Sequence, residues 1–347
     1  MKIIIDAMGG DNAPLEIVRG ALEARKAYGV DILLTGRAEA VLQAIADCGE
    51  KDLPKGVEIA NATEVVEIAD DPATAFKRKK DSSLTVGLNL LRDGKGDAFV
   101  SAGSTGALLA GATLVVKRIR GIRRAAMCPR IPVAGGSVLL CDCGANAECT
   151  AEYLLQFAYL ANFYAQKVMG LEKPRVALLN IGAEAEKGDS LRHEAYARLS
   201  EAGAGGRIHF IGNIEPNDAM LGGADVLVAD GFSGNIMLKS VEGAGKFLYN
   251  QLKGMLSDNA RHKLGGALVK DGMREFKKTL DPSEVGGTPF LGISRPVIKA
   301  HGGSDAHAVC NAVRQAKSFA ESGFVEAVEA NIDYMRVERL EKEEEKA

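Results

Sequence analysis

The sequence predicts an α/β fold with a largely parallel sheet, because short β-branched runs alternate with longer helix-spaced apolar patterns along the chain. The apolar runs repeatedly end in loops of small and polar residues. The first run, Ile3–Ile5, leads directly into Asp6-Ala-Met-Gly-Gly-Asp11. The 347 residues, 46% of them hydrophobic, are enough for one large α/β domain or two intertwined ones.

Each strand is predicted where β-branched and other apolar residues cluster between turn residues. The predicted strands lie near 2–5, 31–35, 57–60, 97–101, 137–142, 175–181, 207–212, 225–230 and 296–300. Helix-spaced apolar residues between them predict helices near 13–28, 37–48, 82–93, 104–118, 148–169, 187–202, 233–257, 259–277 and 304–321. We expect one α/β domain over residues 1–337, or two intertwined subdomains, and a charged tail over 338–347.

The stretch 233–277 differs from the rest because its two helical patterns are long and adjacent. Met237, Val241, Leu248 and Leu252 keep a spacing that places them on one helix face. Helices of this length reach roughly 30 Å or more. The sequence therefore predicts a helical hairpin that projects from the domain.

Composition excludes several classes of protein. A net charge of −3 argues against a dedicated nucleic-acid partner. The six cysteines lack the paired CxxC spacing of a zinc site, so we expect free thiols and no metal. The chain opens on a strand without a visible signal peptide, and no apolar run reaches the roughly 18 residues of a membrane-spanning helix. These features favour a reduced, cytoplasmic protein.

The polar loops carry the candidate chemistry. Asp6 and Asp11 could orient a substrate or act as bases, or could cap a strand–helix turn. Gly9 and Gly10 allow backbone amides to approach an anion. Because ligands of open α/β sheets bind outside the carboxyl ends of the strands, we expect one cleft. Its predicted lining is Asp6, Gly9, Gly10, Asp11, Ser104, Thr105, Asn146, Lys187, Asn235, His301 and Ser304.

The individual loops leave alternatives open. Hydroxyls and amides at Ser101–Gly106 suit a phosphate or a simple helix cap. Lys187 could pair with phosphate or lie on an ordinary surface loop, and His301 could act as acid or base or bind backbone. The GxGxxG, GxxxxGK[ST] and GxSxG motifs are absent, so nucleotide and classical hydrolase chemistry have little support.

Taken in order, the loops resemble those of the PlsX family, the acyl-[acyl-carrier-protein]:phosphate acyltransferases. The matching segments include Ile5-Asp-Ala-Met-Gly-Gly-Asp-Asn-Ala-Pro14, Lys79-Lys-Asp-Ser-Ser83, Asp97–Gly103, Asn180-Ile-Gly182, Asp230–Asn235, Asp281–Gly287, Lys299-Ala-His-Gly302 and Ser304-Asp305. They run in collinear order over about nine tenths of the chain. The resemblance implies a three-layer α/β/α sandwich, Rossmann-like and similar to isocitrate and isopropylmalate dehydrogenases and phosphotransacetylases.

The resemblance also implies a reaction. Inorganic phosphate would attack the thioester of a fatty acyl carrier protein and give acyl phosphate for glycerophospholipid synthesis, without metal, nucleotide or redox cofactor. We expect direct displacement without an acyl-enzyme. The catalytic candidates are Asp6, Asp11, Lys187 and His301. The candidates for substrate binding are Gly9, Gly10, Ser104, Thr105, Gly106, Asn146, Asn180, Asn235 and Ser304.

The charged clusters and the apolar residues of the chain predict its binding partners. Two basic clusters could dock the acidic acyl carrier protein: Lys77, Arg78, Lys79 and Lys80, and Arg118, Arg120, Arg123 and Arg124. The apolar stripe of the hairpin predicts a homodimer, or it could pack on the chain's own sheet. Leu264, Ala267, Leu268 and Val269, flanked by cations, could form a membrane tip or could pack against the neighbouring helix. We therefore expect peripheral contact with the cytoplasmic membrane and coupling to a membrane glycerol-3-phosphate acyltransferase.

Two other classes of function stay open. One is a dehydrogenase of the same fold, which would use NAD and a divalent metal on a 2-hydroxy acid. The other is a non-catalytic scaffold that recruits a carrier protein to membranes. Turnover of an acyl-carrier thioester, measured with and without phosphate, separates both alternatives from the acyltransferase.

Overall fold

The computed structural model describes residues 1–335, without the side chains of Ala260 and Pro282. The charged tail predicted over 338–347 lies outside the described residues. In chain order the strands are β1 (Lys2–Asp6), β2 (Asp31–Gly36), β3 (Val57–Asn61), β4 (Ala98–Ser101), β5 (Ala126–Met127), β6 (Arg130–Val133), β7 (Gly136–Cys141), β8 (Arg175–Leu179), β9 (His209–Ile214), β10 (Val226–Val228), β11 (Thr288–Leu291) and β12 (Val297–Lys299).

The helices are α1 (Leu15–Tyr28), α2 (Ala38–Asp47), α3 (Ala75–Arg78), α4 (Ser83–Arg92), α5 (Thr105–Gly111), α6 (Ala151–Lys167), α7 (Ser190–Ala204) and α8 (Pro216–Met220). They continue with α9 (Gly231–Ser257), α10 (Ala260–Leu268), α11 (Lys270–Leu280), α12 (Pro282–Val285), α13 (Ala306–Glu321), α14 (Phe324–Ala330) and α15 (Ile332–Met335). A π-helical turn, Ala112–Val116, extends α5.

Two sheets organise these strands. The larger has the order β3-β2-β1-β4-β12-β11-β5, and the smaller has the order β6-β7-β10-β8-β9. β1 pairs in parallel with β2 and β4, and β4 pairs in parallel with β12. β11 is antiparallel to both of its neighbours, and in the smaller sheet only β6 runs antiparallel to its neighbour. The carboxyl ends of β1, β4 and β12 therefore lie side by side.

A short ribbon joins the two sheets. On one side, β5 pairs with β11, and the Cys128 amide donates to the carbonyl of Pro289 over 3.1 Å. On the other side, the Cys143 amide donates to the Met127 carbonyl over 3.0 Å. This ribbon brings the end of β7 next to the larger sheet.

The core shows why the fold has three layers. Along β1, Ile3 and Ile5 face a cluster that contains residues of α1, α2 and α13, whereas Ile4 faces a second cluster that contains residues of α4 and α5. This is the period-2 alternation of a strand buried on both faces. The first cluster continues across β7 and β8 to α6 and α7. A third cluster covers the other face of the smaller sheet and includes Met237 of α9. The architecture is thus the expected α/β/α sandwich.

Several predicted elements need correction. The helix predicted over 104–118 ends as α5 at Gly111 and continues as the π-helical turn. The helix predicted over 259–277 is two helices, α10 and α11, separated at Val269. Strands β5, β6 and β11 were not predicted, and neither were the short helices α3, α8, α12, α14 and α15. Pro132 and Pro289 interrupt the strand pattern of β6 and β11, since proline lacks the amide that a central strand uses.

The helices α9–α11 leave much apolar surface exposed. α9 has 27 residues, which corresponds to roughly 40 Å at 1.5 Å per residue. Its first turns pack on the protein's own core through Met237, so this residue does not belong to an exposed stripe. Farther along, Phe247, Leu248 and Met255 are more than half exposed. Within the described residues, no helix is long and apolar enough to cross a membrane.

Candidate functional site

The loops after β1, β4 and β12 form the first of two loop groups. Asp6, the last residue of β1, is buried at its centre. Its Oδ2 accepts the Ser101 hydroxyl over 2.7 Å, and its Oδ1 accepts the Met8 amide over 3.3 Å. Burial raises the pKa of this carboxyl, while hydrogen bonds from Ser83 and Ser101 oppose the rise. Asp6 therefore ties the loop after β1 to the end of β4 and the start of α4.

Two glycines let three loops meet. A Cβ on Gly9 would lie 2.5 Å from Oδ2 of Asp6 and 2.8 Å from the amide nitrogen of Gly103. Gly10 has φ +108°, and a Cβ there would lie 2.9 Å from Cβ of Ala102 and 3.0 Å from the carbonyl oxygen of Gly302. The loops after β1, β4 and β12 thus pack backbone against backbone, an approach that only glycine allows here.

The loop after β12 closes on the first loop through hydrogen bonds. The Asp11 amide donates to the Gly302 carbonyl over 2.8 Å, and Nδ2 of Asn12 donates to the carbonyls of Gly303 and Ser304 over 3.2 Å each. The Ser304 hydroxyl donates to the His301 carbonyl over 2.7 Å, so it shapes the loop. His301 is exposed, and its Nδ1 accepts the Gly303 amide over 3.1 Å. The Nε2 atom then carries the ring proton when the imidazole is neutral.

The loop after β4 leads into α5. Oγ of Ser104 accepts the Ala107 amide over 3.4 Å and so caps this helix. Thr105 is exposed at its first turn. A Cβ on Gly106 would lie 2.8 Å from Cβ of Pro72, which places the segment before α3 beside the same turn.

Lys299 is the residue of this group that the site prediction missed. It is the last residue of β12 and is 8% exposed. Its Nζ donates to the Ala102 carbonyl over 3.2 Å and also to the Ala300 carbonyl. Burial lowers the pKa of this ammonium to about 8, and Asp6 and Asp11 act against that shift. The sequence feature that could have identified it is a lysine inside the apolar run 297–300. A lysine is unusual in a strand that lies between two other strands.

A second group of loops follows the strands of the smaller sheet. Asp142, directly after β7, accepts the amides of Met127, Cys143 and Asn146 over 2.7–2.8 Å. Burial raises the pKa of this carboxyl against those hydrogen bonds. Nδ2 of Asn146 donates to the Ala125 carbonyl over 2.8 Å, and Asn235 lies 3.9 Å from the Cβ position of Gly144.

The loop after β8 belongs to the same group. Nδ2 of Asn180 donates to the Lys187 carbonyl over 2.9 Å, which fixes the loop, while the Lys187 side chain is exposed. Arg192 at the start of α7 binds Asp230 and the Ser233 hydroxyl, so it joins this loop to the start of α9. Asp142 and Arg192 were not predicted from the sequence as site residues.

The structure therefore brings Asp6, Gly9, Gly10, Asp11, His301 and Ser304 into direct contact with one another or with the same loops. Asn146, Asn180 and Lys187 lie on the loops after β7 and β8 of the smaller sheet, and Asn235 lies in the first turns of α9, which follows β10. The contacts described above connect residues within each group. The single cleft that spans both groups stays a prediction.

The residues predicted to bind partners lie largely at the surface. Lys77, Arg78 and Lys80 are exposed, but Nζ of Lys79 is held by Asp70 over 2.6 Å and by the Val65 carbonyl over 2.8 Å. In the second cluster, Arg118, Arg120 and Arg124 are exposed and Arg123 is half-buried, and Arg124 lies over the Tyr153 ring at 5.5 Å. At the hairpin, the exposed residues are Leu264, Ala267, Leu268 and Val269, with Leu268 83% exposed.

Comparisons with solved structures agree with this architecture. A phosphotransacetylase from Streptococcus pyogenes superposes with a TM-score of 0.65 at 19% identity, covering 92% of this chain and 94% of that chain. A 4-hydroxythreonine-4-phosphate dehydrogenase from Klebsiella pneumoniae has a TM-score of 0.53 at 13% identity, covering 92% of this chain and 98% of that chain. These likenesses show the fold alone.

Comparisons of sequence show the family. The model of a family described as fatty acid synthesis protein matches residues 1–327. A phosphate acyltransferase from Clostridioides difficile is 43% identical over 99% of this chain and 100% of its own length. One from Thermoanaerobacter pseudethanolicus is 44% identical over 96% and 98%. The chain therefore belongs to the PlsX family of phosphate acyltransferases within the fatty acid synthesis proteins.

Proposed function

We propose that the chain transfers a fatty acyl group from acyl-[acyl-carrier-protein] to inorganic phosphate, giving acyl phosphate for glycerophospholipid synthesis. The observation that carries this proposal is the meeting of the loops after β1, β4 and β12 in a chain of this family. Their backbones pack through Gly9 and Gly10 beside one buried lysine and two carboxylates. Glycine-lined amides and a cation suit a small oxyanion.

The chemistry can be assigned to groups in outline. A phosphate oxygen attacks the thioester carbonyl carbon, negative charge develops on the carbonyl oxygen, and the carbon–sulfur bond breaks as the thiolate leaves and takes up a proton. Backbone amides of the glycine loops would stabilise the oxyanion. In this proposal Asp11 would accept a proton from the attacking phosphate, and Nε2 of His301 would deliver one to the sulfur. Holding phosphate against the carbonyl supplies much of the remaining rate.

One assay tests this function. Purified protein is mixed with a long-chain acyl carrier protein, and free carrier thiol is measured with and without inorganic phosphate. We expect thiol release that requires phosphate, matched by an equal amount of acyl phosphate trapped with hydroxylamine. Thiol release that does not depend on phosphate, or no thiol release at all, contradicts the proposal. Activity that instead requires NAD and a divalent metal would indicate the dehydrogenase.

The acyl carrier protein is proposed to dock on the two basic clusters. Support comes from Lys77, Arg78 and Lys80, which project near α5 because Phe76 and Pro72 pack on that helix. The carrier would then deliver its thioester beside the loop that begins α5. Lys79 serves a different purpose, since its ion pair with Asp70 anchors the segment that carries its neighbours.

The projecting helices are proposed to serve the homodimer and the membrane. Exposed Phe247 and Leu248 support an isologous contact along α9. Leu268 and Val269 lie at the junction of α10 and α11 with cations nearby, which supports shallow insertion among anionic headgroups. Peripheral attachment to the cytoplasmic membrane would deliver the acyl phosphate to a membrane glycerol-3-phosphate acyltransferase. Light scattering that reports a monomer at micromolar concentration would contradict the dimer.

A further inference from the structure

The outline above gives Lys299 no specific contact with a reacting group, although it is the buried cation of the loops after β1, β4 and β12. Its neighbours with charge are Asp6 on β1 and Asp11 on the loop that follows. A phosphate bound by these loops would face two carboxylates, which repel it. Glycine amides alone must then compensate two negative charges, unless a cation contributes.

The geometry of Lys299 suits that contribution. An ammonium group has three N–H bonds, and two of them are directed at the carbonyls of Ala102 and Ala300. One carbonyl belongs to the loop after β4 and the other to the loop after β12. The ammonium is therefore held between the two loops that meet Gly10. Among residues 1–335 these two carbonyls are its hydrogen-bond acceptors, which leaves one N–H bond for a ligand.

Burial makes this charge effective. Lys299 is 8% exposed, so little water screens it, and a fixed ammonium needs little reorganisation when an anion binds. By contrast, Lys187, the lysine that the sequence suggested for phosphate, is exposed at the end of a different sheet. An exposed, mobile lysine gives less interaction energy per contact.

We propose that Lys299 is the phosphate-binding cation of this site and that its ammonium donates its third N–H bond to the attacking phosphate. The inference rests on the proposed function and names the residue that holds its nucleophile. It assigns Lys299 to phosphate binding, so the KM for the carrier-protein substrate should not depend on this residue.

The test separates phosphate binding from folding. Lys299→Met removes the charge at similar length, and Lys299→Arg keeps it. We expect the KM for phosphate to rise about 10- to 100-fold in Lys299→Met, the loss expected for one charge-assisted hydrogen bond. The KM for the acyl carrier substrate should change less than about twofold. Lys299→Arg should recover part of the phosphate affinity.

Arg175→Met is the matched control. Arg175 is a half-buried cation that binds the carbonyls of Gly222 and Gly223 at the amino end of β8, so its loss also removes cation–carbonyl bonds. We expect a lower melting temperature and an unchanged KM for phosphate. An unchanged KM for phosphate in Lys299→Met overturns the inference.

Two further readouts keep the inference testable. If Lys299→Met does not fold, isothermal calorimetry of wild-type protein with inorganic phosphate tests the inference instead. The affinity for phosphate should fall as pH rises and Lys299 loses its proton. Equal affinity at neutral and alkaline pH, after allowing for the ionisation of phosphate itself, refutes the role. If wild-type protein binds phosphate but releases no carrier thiol, the proposed function is refuted. The role of Lys299 in phosphate binding is then judged from the calorimetry alone.

Discussion

Replacing Gly10 by alanine should disrupt the meeting of the three loops. The φ of +108° at this position is one that side chains rarely adopt, and such strain costs roughly 1–3 kcal/mol. The new Cβ would also lie 2.9 Å from Ala102 and 3.0 Å from the Gly302 carbonyl. Displacing packed groups of this kind costs about 1–3 kcal/mol more. We therefore expect a loss of about 2–6 kcal/mol in the free energy of unfolding.

Gly29→Ala provides the control for strain without collision. Gly29 ends α1 with φ 65°, and its Cβ position has no neighbour within 4 Å. Alanine in this left-handed region costs about 1–2 kcal/mol. Urea unfolding should rank wild type above Gly29→Ala and Gly29→Ala above Gly10→Ala. Phosphate-dependent thiol release should fall only in Gly10→Ala. A Gly10→Ala protein with the stability of the control and full activity would refute the proposed packing of these loops.

Three other predictions follow from charge and exposure. Burial lowers the pKa of Lys299 from 10.5 to about 8, so its protonation in the folded chain costs stability at lower pH. Relative to Lys299→Met, the wild-type free energy of unfolding in urea should rise by about 3 kcal/mol between pH 8 and 10.5, and a constant difference would contradict the burial effect. Reversing Lys77 and Arg78 to Glu should raise the KM for the carrier substrate and weaken its dependence on salt; kinetics like those of wild type would exclude this docking face. Leu268→Glu with Val269→Glu should abolish flotation with anionic vesicles while activity on soluble carrier substrate persists, and equal flotation would show that the membrane anchor lies elsewhere.

The parts of the fold that were predictable are those encoded locally. β1, β4 and β12 are apolar runs that stop at polar residues, and the loops that follow them meet because parallel neighbours end at one edge. β11 was missed because Pro289 sits inside a run of four residues, and its pairing with β5 depends on residues far along the chain.

The site was less predictable because side-chain partners are not encoded locally. Lys79 belongs to a basic run that was predicted to dock the carrier protein, yet Asp70 and the Val65 carbonyl hold its ammonium. Lys299 was assigned to the end of a strand, and only the packing of β12 between β4 and β11 shows that its charge is buried. Long-range pairing, which sets burial, therefore decides which charged residues are available to a ligand.

The position of β12 has a consequence for biosynthesis. Val100 pairs with Ile298, although nearly two hundred residues separate them in the chain. While the ribosome makes those residues, β4 remains an open edge, and Phe99, buried in the finished protein, lacks its neighbouring strand. Such non-local pairing forms slowly and leaves nascent chains prone to aggregation. A chain truncated before residue 297 would lack a central strand of the larger sheet, so premature termination should yield an insoluble product.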